Sequence, residues 1–456
     1  MNPITIPNIT IPTIGLPAIG ISSVGFPSAS GGGLIWPKGL KESIKAIYDP
    51  AKQGMTNYDV IEAYTEDFKK WSNSPEKYTG SLTSNSLALT NVSQKTALIY
   101  SPIKPYDFKV LIRGLQEGQH VKFGFDYGEL ILEADKDGVY TLEWKEGLIS
   151  YGIYTNFVGE CNITITQLPT SILKDLSGNG NHAYLYGGKG KLNSGVGIYA
   201  ADFTSYSGYY YAESEFAQLV KGSYKCHKGY NSLIKDVESF NVKVDGIINE
   251  TIIYYYRNEE GIEKQFSINK NGVYTVPKCY MAGTTGTSTG FTVNNPNDNT
   301  DITITQIPDY PNQLCYDGKM YAVCYGFPIL TDYTVMADRT WFDNEGNRVF
   351  ITKGNIWPNC AFNFEKVNVS LSSETFSYSQ STNIDDLIGK SGITYQTKQS
   401  YNGKVIGVGT SSDGDILLIG GQLKGEYVGC HGKIIIADRS FTEDEITWLK
   451  DNWKKI

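Results

Sequence analysis

Two stretches of this chain carry the same ordered set of strand and turn signals, and that repetition narrows the folds open to it. Phe108-Lys109-Val110-Leu111-Ile112-Arg113-Gly114 is followed by Asp137-Gly138-Val139-Tyr140-Thr141 and closes with Asn162-Ile163-Thr164-Ile165-Thr166-Gln167-Leu168-Pro169. Phe240-Asn241-Val242-Lys243-Val244-Asp245-Gly246, Asn271-Gly272-Val273-Tyr274-Thr275 and Asp301-Ile302-Thr303-Ile304-Thr305-Gln306-Ile307-Pro308 repeat the series. Short alternating runs divided by Gly and Asn turns mark antiparallel strands. In the closing strands Ile163 and Ile165, like Ile302 and Ile304, are expected to face inward. A duplicated β-module with varied turns points to construction and surface recognition more than to chemistry. At roughly 65 residues each module is small for an independent core, so each is expected to lean on the main domain or on a neighbour.

The remaining composition agrees with an all-β chain. Gly (48) and Tyr (33) are abundant while charged residues make up only 19% of 456 residues, a balance suited to many tight turns and poor in long helices. A net charge of -8 without a basic stripe excludes nonspecific nucleic-acid binding, because nothing displaces counterions from phosphates. No apolar run reaches the roughly 18 residues of a membrane-spanning helix. Seven cysteines form an odd set without CxxC spacing, read as thiols of a reducing cytosol, with Cys315/Cys324 as the one plausible bridge.

Residues 1–33 are different in kind. Ile4, Ile6, Ile9, Ile11, Ile14, Leu16 and Ile19 recur every two or three positions among Pro3, Pro7, Pro12 and Pro17. Prolines deny this segment a helix or a paired central strand, and one chain cannot bury the stripe alone. It is expected to anchor the protein to a partner or to copies of itself; the alternative is a disordered tail. The lack of a basic n-region also argues against a signal peptide.

Elsewhere, Ile44 to Asp49 reads as a strand ended at Pro50, and Val60, Tyr64 and Phe68 fall at the spacing of a short helix. Strand-like runs alternate with turns from Tyr333 to Ala437, as in a sandwich. Thr442-Glu443-Asp444-Glu445 is a capping box, and Ile446, Leu449 and Trp453 form the stripe that lays the following helix on a sheet.

Asp175-Leu176-Ser177-Gly178-Asn179-Gly180-Asn181-His182-Ala183 resembles a turn near the start of laminin-G-like, concanavalin A-like lectin/glucanase domains. Gly432 to Ile446 resembles the closing strand and helix of that family, and Asp317-Gly318-Lys319-Met320-Tyr321 and Tyr333-Thr334-Val335-Met336-Ala337 resemble two of its strands. The resemblance implies an all-β fold: a concanavalin A-like jelly-roll sandwich with two inserted small antiparallel β-modules and a short C-terminal helix. The expected order is anchor 1–33, sandwich 34–103, module one 104–169, sandwich 170–235, module two 236–309, and sandwich 310–456. A chain of this style also resembles bacteriophage virion fibre or tail proteins of the crAss-like head-fibre type. That implies a homo-oligomer (a trimer in such proteins), synthesis in host cytoplasm, residence in the virion, and contact with other virion proteins through 1–33. The alternatives are a secreted or cell-surface carbohydrate-binding protein and a glycoside hydrolase of the same fold.

No enzyme is expected. Glu129, Glu133 and Asp135 come nearest to the three-carboxylate strand of fold-related glucanases, but they run into a turn. Cys226-His227 and Cys430-His431 are adjacent in strands, so each pair points to opposite faces. Gly283 to Gly290 lacks the lysine and helix of a phosphate loop. No cofactor is expected beyond Ca2+, for which Asp413 and Asp415 offer oxygens in what is first an ordinary turn. Glycan contact is the remaining activity. It needs rings beside amides or carboxylates, and Tyr206, Tyr209, Tyr210 and Tyr211, then Tyr254, Tyr255 and Tyr256, are the local clusters; packing is the equal alternative for both.

Overall fold

The computed structural model describes residues 34–102, 107–124, 130–143, 150–188, 196–197, 213–214, 217–220, 223–226, 239–280, 290–294, 300–343, 349–354, 360–366, 387–405, 414–421 and 425–456. Among the described residues six sheets pack as three pairs, and the architecture is all-β and sandwich-like. The central pair sets Leu314–Asp317, Val428–Ala437, Thr334–Trp341 and Ser391–Thr397 against Ala183–Tyr186, Tyr321–Tyr325, Ile416–Ile419, Val349–Gly354 and Cys360–Lys366. Their inward side chains, among them Leu185, Ala322, Tyr316, Trp341, Phe350 and Ile434, form one core. Ile44–Tyr48 extends the first sheet on Val428–Ala437.

The capping box forms as expected. Thr442 accepts from the Glu445 N–H, and Ile446, Leu449 and Trp453 cover the outer face of the first sheet beside Ile47, Met336 and Ile435. The turn 175–183 is a clamp on the first strand. Asp175 accepts from the N–H groups of Ile47 (3.0 Å), Ser177 (2.9 Å) and Asn181 (3.0 Å), while the Asn181 amide donates to Lys45 O (2.7 Å). His182, half-buried, accepts the Asp175 N–H through Nδ1 at 3.0 Å.

An ion pair is buried between the central sheets. Arg339 donates to both oxygens of Glu365 (3.0 and 2.8 Å), which also accept from Trp341 Nε1 (2.7 Å), Tyr401 (2.9 Å) and Thr394. Glu365 adopts a left-handed φ of 50°. Such a conformation costs about 1–3 kcal/mol, which the donors around the carboxylate offset.

The duplication is visible in register. In the first module Phe108 faces Leu142 and Ile112 faces Gly138; in the second Phe240 faces Val276 and Val244 faces Gly272. Asp137 accepts from the N–H groups of Gly114 and Leu115, and Asn271 accepts from that of Ile247. Tyr140 donates to Lys136 O at 2.7 Å, and Tyr274 donates to Lys270 O at 2.8 Å. Gly114 and Gly246 have φ of 91° and 94°, and a Cβ on either would lie 1.9 or 2.1 Å from the carbonyl oxygen of Asn162 or Asp301. Ile163, Ile165, Ile302 and Ile304 are all buried.

The modules begin earlier than the repeat suggests. Tyr78–Leu82 and Ser86–Val92 pair through to Gly159–Gln167, and Ser72–Asn73 pairs with Ile99–Pro102, which pairs with Ser150–Thr155, so 72–102 lies in the sheets of module one and not in those of the sandwich. Ala217–Val220 and Ser223–Cys226 likewise extend Ile302–Ile307 of module two. These strands lack the repeated residues; their pairing, and in module one the burial of Tyr78, Leu87, Leu89 and Val92 in its core, reveals their place. The helical spacing of Val60, Tyr64 and Phe68 is also corrected. Val60 packs in the central core and Phe68 in that of module one, so the stretch crosses between bodies, with one 3-10 turn at Asn57–Val60 and another at Phe68–Lys70. Among the described residues no helix is long and apolar enough to cross a membrane.

Candidate functional site

Strand alternation places a row of tyrosines on the outer face of the central second sheet. Leu185 faces the core, so Tyr184 and Tyr186 face out; Ala322 and Cys324 face the core, so Tyr321 and Tyr325 face out. Tyr186 lies opposite Tyr321 across the strand pair, and their rings stack with centroids 5.2 Å apart and planes 15° apart. Tyr186 and Tyr325 share a hydroxyl–hydroxyl hydrogen bond of 3.1 Å.

Module one rests on part of this row. Its strand Phe108–Arg113 buries Phe108, Val110 and Ile112 in its own core and turns Lys109, Leu111 and Arg113 outward. Leu111, with Val139 and Leu168, packs on Tyr184, Tyr186, Tyr325 and Ile172. Arg113 donates to Asp415 at 2.8 Å. Burying one leucine contributes about 1.5–3 kcal/mol, whereas a pair with both side chains one-third exposed contributes roughly 0–1 kcal/mol. The apolar patch therefore holds the module, and the ion pair orients it.

The rim of the junction is polar. Glu62 accepts from Tyr64 (2.7 Å) and from the Gly187 N–H (2.7 Å). That approach needs the glycine pair ending the strand, since a Cβ on Gly188 would lie 1.7 Å from Val60 O. Burial raises the hydroxyl pKa of Tyr64, Tyr186, Tyr321 and Tyr325, helped at Tyr64 by its bond to Glu62, and takes Tyr184 to about 12. The hydroxyls stay neutral at physiological pH and can both donate and accept. Half-buried Tyr64, Tyr186, Tyr321 and Tyr325, one carboxylate and one Arg–Asp pair form an aromatic, hydrogen-bonding rim without a nucleophile or a facing acid pair among the described residues.

The sequence-derived candidates fare unevenly. Tyr206, Tyr209, Tyr210, Tyr211, Asp413, the anchor residues 1–33 and the 283–289 part of the glycine-rich stretch lie outside the described residues. Tyr254 is corrected: it is fully buried in the core of module two against Phe240 and Phe291 and cannot meet a ligand from solvent. Tyr256 stacks on Tyr254 at 5.9 Å, and Tyr255, on the opposite face, is half-exposed. Asp415 is held by Arg113, and no group of three or more metal-ligating side chains occurs among the described residues. Glu133 pairs with Lys122 (3.0 Å) and His120, whose hydrogen bonds lower its pKa; Glu129 is not described. His431 is fully buried, bonded to Tyr316 at 3.0 Å, and desolvation lowers its pKa to about 4. A Cys315/Cys324 bridge is excluded: Cys324 lines the central core from the second sheet, while Cys315, between inward Leu314 and Tyr316, faces out from the first.

No family model matches the sequence, and no curated protein matches it. Among solved structures, the M60 catalytic domain with the CBM51-1 and CBM51-2 domains from Clostridium perfringens ZmpB is 10% identical, with 84% of this chain and 39% of that chain covered and a TM-score of 0.17. This chain therefore spans less than half of that protein. Trypanosoma rangeli sialidase is 10% identical over 83% of this chain and 84% of its own, with a TM-score of 0.21. A structure of oxalate decarboxylase is 10% identical over 62% and 87%, with a TM-score of 0.13. Scores this low do not establish a common fold, and the site stands on its own geometry.

Proposed function

We propose that this chain is a non-catalytic carbohydrate-binding protein whose contact surface is the tyrosine rim between module one and the central sheets. The observation that carries it is the stacked, half-exposed Tyr186–Tyr321 pair beside Glu62 and Arg113–Asp415. Sugar C–H faces pack on such rings while their hydroxyls take neutral and charged hydrogen-bond partners. We also read the central pair as a concanavalin A-like jelly roll, on the strength of the Asp175–Ala183 clamp and the closing strand and helix. A glycan array run with the intact protein and with Tyr321→Ala tests the binding. Signals on specific glycans that vanish in the variant are expected; no signal at high micromolar protein, or signals untouched by the change, would overturn it.

A second reading, favoured by the apolar, proline-stiffened sequence of residues 1–33, is a virion component. In it the same rim binds host-surface or environmental glycans, the protein is a trimer assembled in host cytoplasm, and 1–33 fastens it to the particle.

A further inference from the structure

We propose that Cys315 and Cys430 form a cross-strand disulfide when the protein meets an oxidising thiol–disulfide environment. The two residues are direct partners in the antiparallel pairing of Leu314–Asp317 with Val428–Ala437. Directly opposed residues put their side chains on one face with Cα atoms about 4.5–5.5 Å apart, inside the range a disulfide spans. Their neighbours fix which face. Leu314, Tyr316 and His431 point into the central sheets, so Cys315 and Cys430 point out together. Both thiols lie near Gln313: Cys430 donates to its side-chain oxygen at 2.9 Å and Cys315 to its backbone oxygen at 3.6 Å. Burial raises the pKa of the Tyr310 hydroxyl, and Cys430 and Cys315 both add to the rise, in keeping with one shared pocket.

Both residues are thiols in the structure and fully buried. Leu314–Asp317 is only four residues long, and opening of so short a strand admits a small oxidant. One cysteine, as thiolate, attacks a sulfur of oxidised glutathione and releases reduced glutathione, leaving a mixed disulfide. The second thiolate then attacks the protein sulfur and releases the other glutathione thiol. Two protein thiols lose two electrons and two protons, and one glutathione disulfide becomes two thiols. The bridge would staple the strand that leaves module two to the strand that precedes the C-terminal helix, closing a loop around every strand from Tyr321 to Ile419.

The inference does not depend on glycan binding. The full chain, purified under reductant, is incubated with oxidised glutathione, alkylated under denaturing conditions and digested for mass spectrometry. A Cys315–Cys430 linked peptide is expected, unchanged in Cys324→Ser and absent from Cys430→Ser, with Cys315→Ala substituting if that variant fails to fold. The oxidised protein should melt higher than its reduced form, and this rise should be missing in the variant. Intact thiols after prolonged incubation, glutathione adducts alone, or a bridge between other cysteines would overturn it.

Discussion

Replacing Glu365 by Gln tests the polar centre of the sandwich. The carboxylate, 1% exposed, answers the 2% exposed Arg339 and accepts from Trp341, Tyr401 and Thr394. An amide keeps the volume, removes the countercharge and turns an NH2 toward groups that are themselves donors. Each neutral hydrogen bond accounts for about 0.5–1.5 kcal/mol, whereas leaving one partner of a buried ion pair uncompensated costs about 3–5 kcal/mol, so the charge dominates. At about 2–4 °C per kcal/mol for a body of this size, the melting midpoint should fall by roughly 6–20 °C. Circular dichroism melts of Glu365→Gln give the shift. The double variant Arg339→Met/Glu365→Gln should recover part of it, because it removes the uncompensated charge while the amide oxygen still accepts from the surrounding donors. A single variant melting within about 2 °C of the parent, or a double variant as damaged as the single, would refute the reasoning.

Three further outcomes are expected. His431 has a folded pKa near 4, below its unfolded value, so its contribution is complete above about pH 6.5 and is lost as pH falls toward 4. That is roughly 3 kcal/mol across the window, and denaturant titrations should show His431→Gln losing this part of the slope. Gly114→Ala and Gly246→Ala should each destabilise by at least about 2 kcal/mol in urea melts, because the new methyl meets a carbonyl. Gly118→Ala, with a similar φ but open space, should cost about 1 kcal/mol. Deletion of residues 1–33 should lower the oligomer seen by light scattering, and an unchanged mass would remove the anchor proposal.

What could be read in advance divides along local and non-local signals. The repeat, the inward Ile163, Ile165, Ile302 and Ile304, and the capping box of Thr442 and Glu445 are local, and each was legible. The extent of the modules was not, because Ser86–Val92 and Ser223–Cys226 join through pairing with strands distant in the chain, Gly159–Gln167 and Ile302–Ile307. The tyrosine rim left a faint signal: Tyr184 and Tyr186, like Tyr321 and Tyr325, share strand parity, so each pair lies on one face. What parity could not supply is that two strands so far apart in the chain would lie side by side, as the partners Tyr186 and Tyr321, 135 positions apart, show. Consecutive tyrosines are the stronger local signal, yet in Tyr254–Tyr256 alternation buries the first ring. The outer faces of the two modules differ where module one docks. Lys109, Leu111 and Arg113 occupy positions held in module two by Asn241, Lys243 and Asp245, where Val273, the counterpart of Val139, is 65% exposed.

The most direct test of the central claim follows the tyrosine rings themselves. With isotope-labelled tyrosine in the full chain, NMR titration of a glycan selected on the array should move the ring resonances of Tyr186 and Tyr321 together, with one dissociation constant, and leave the buried Tyr254 still. Shifts confined to other tyrosines, or saturable binding that leaves Tyr186 and Tyr321 unmoved, would contradict the account.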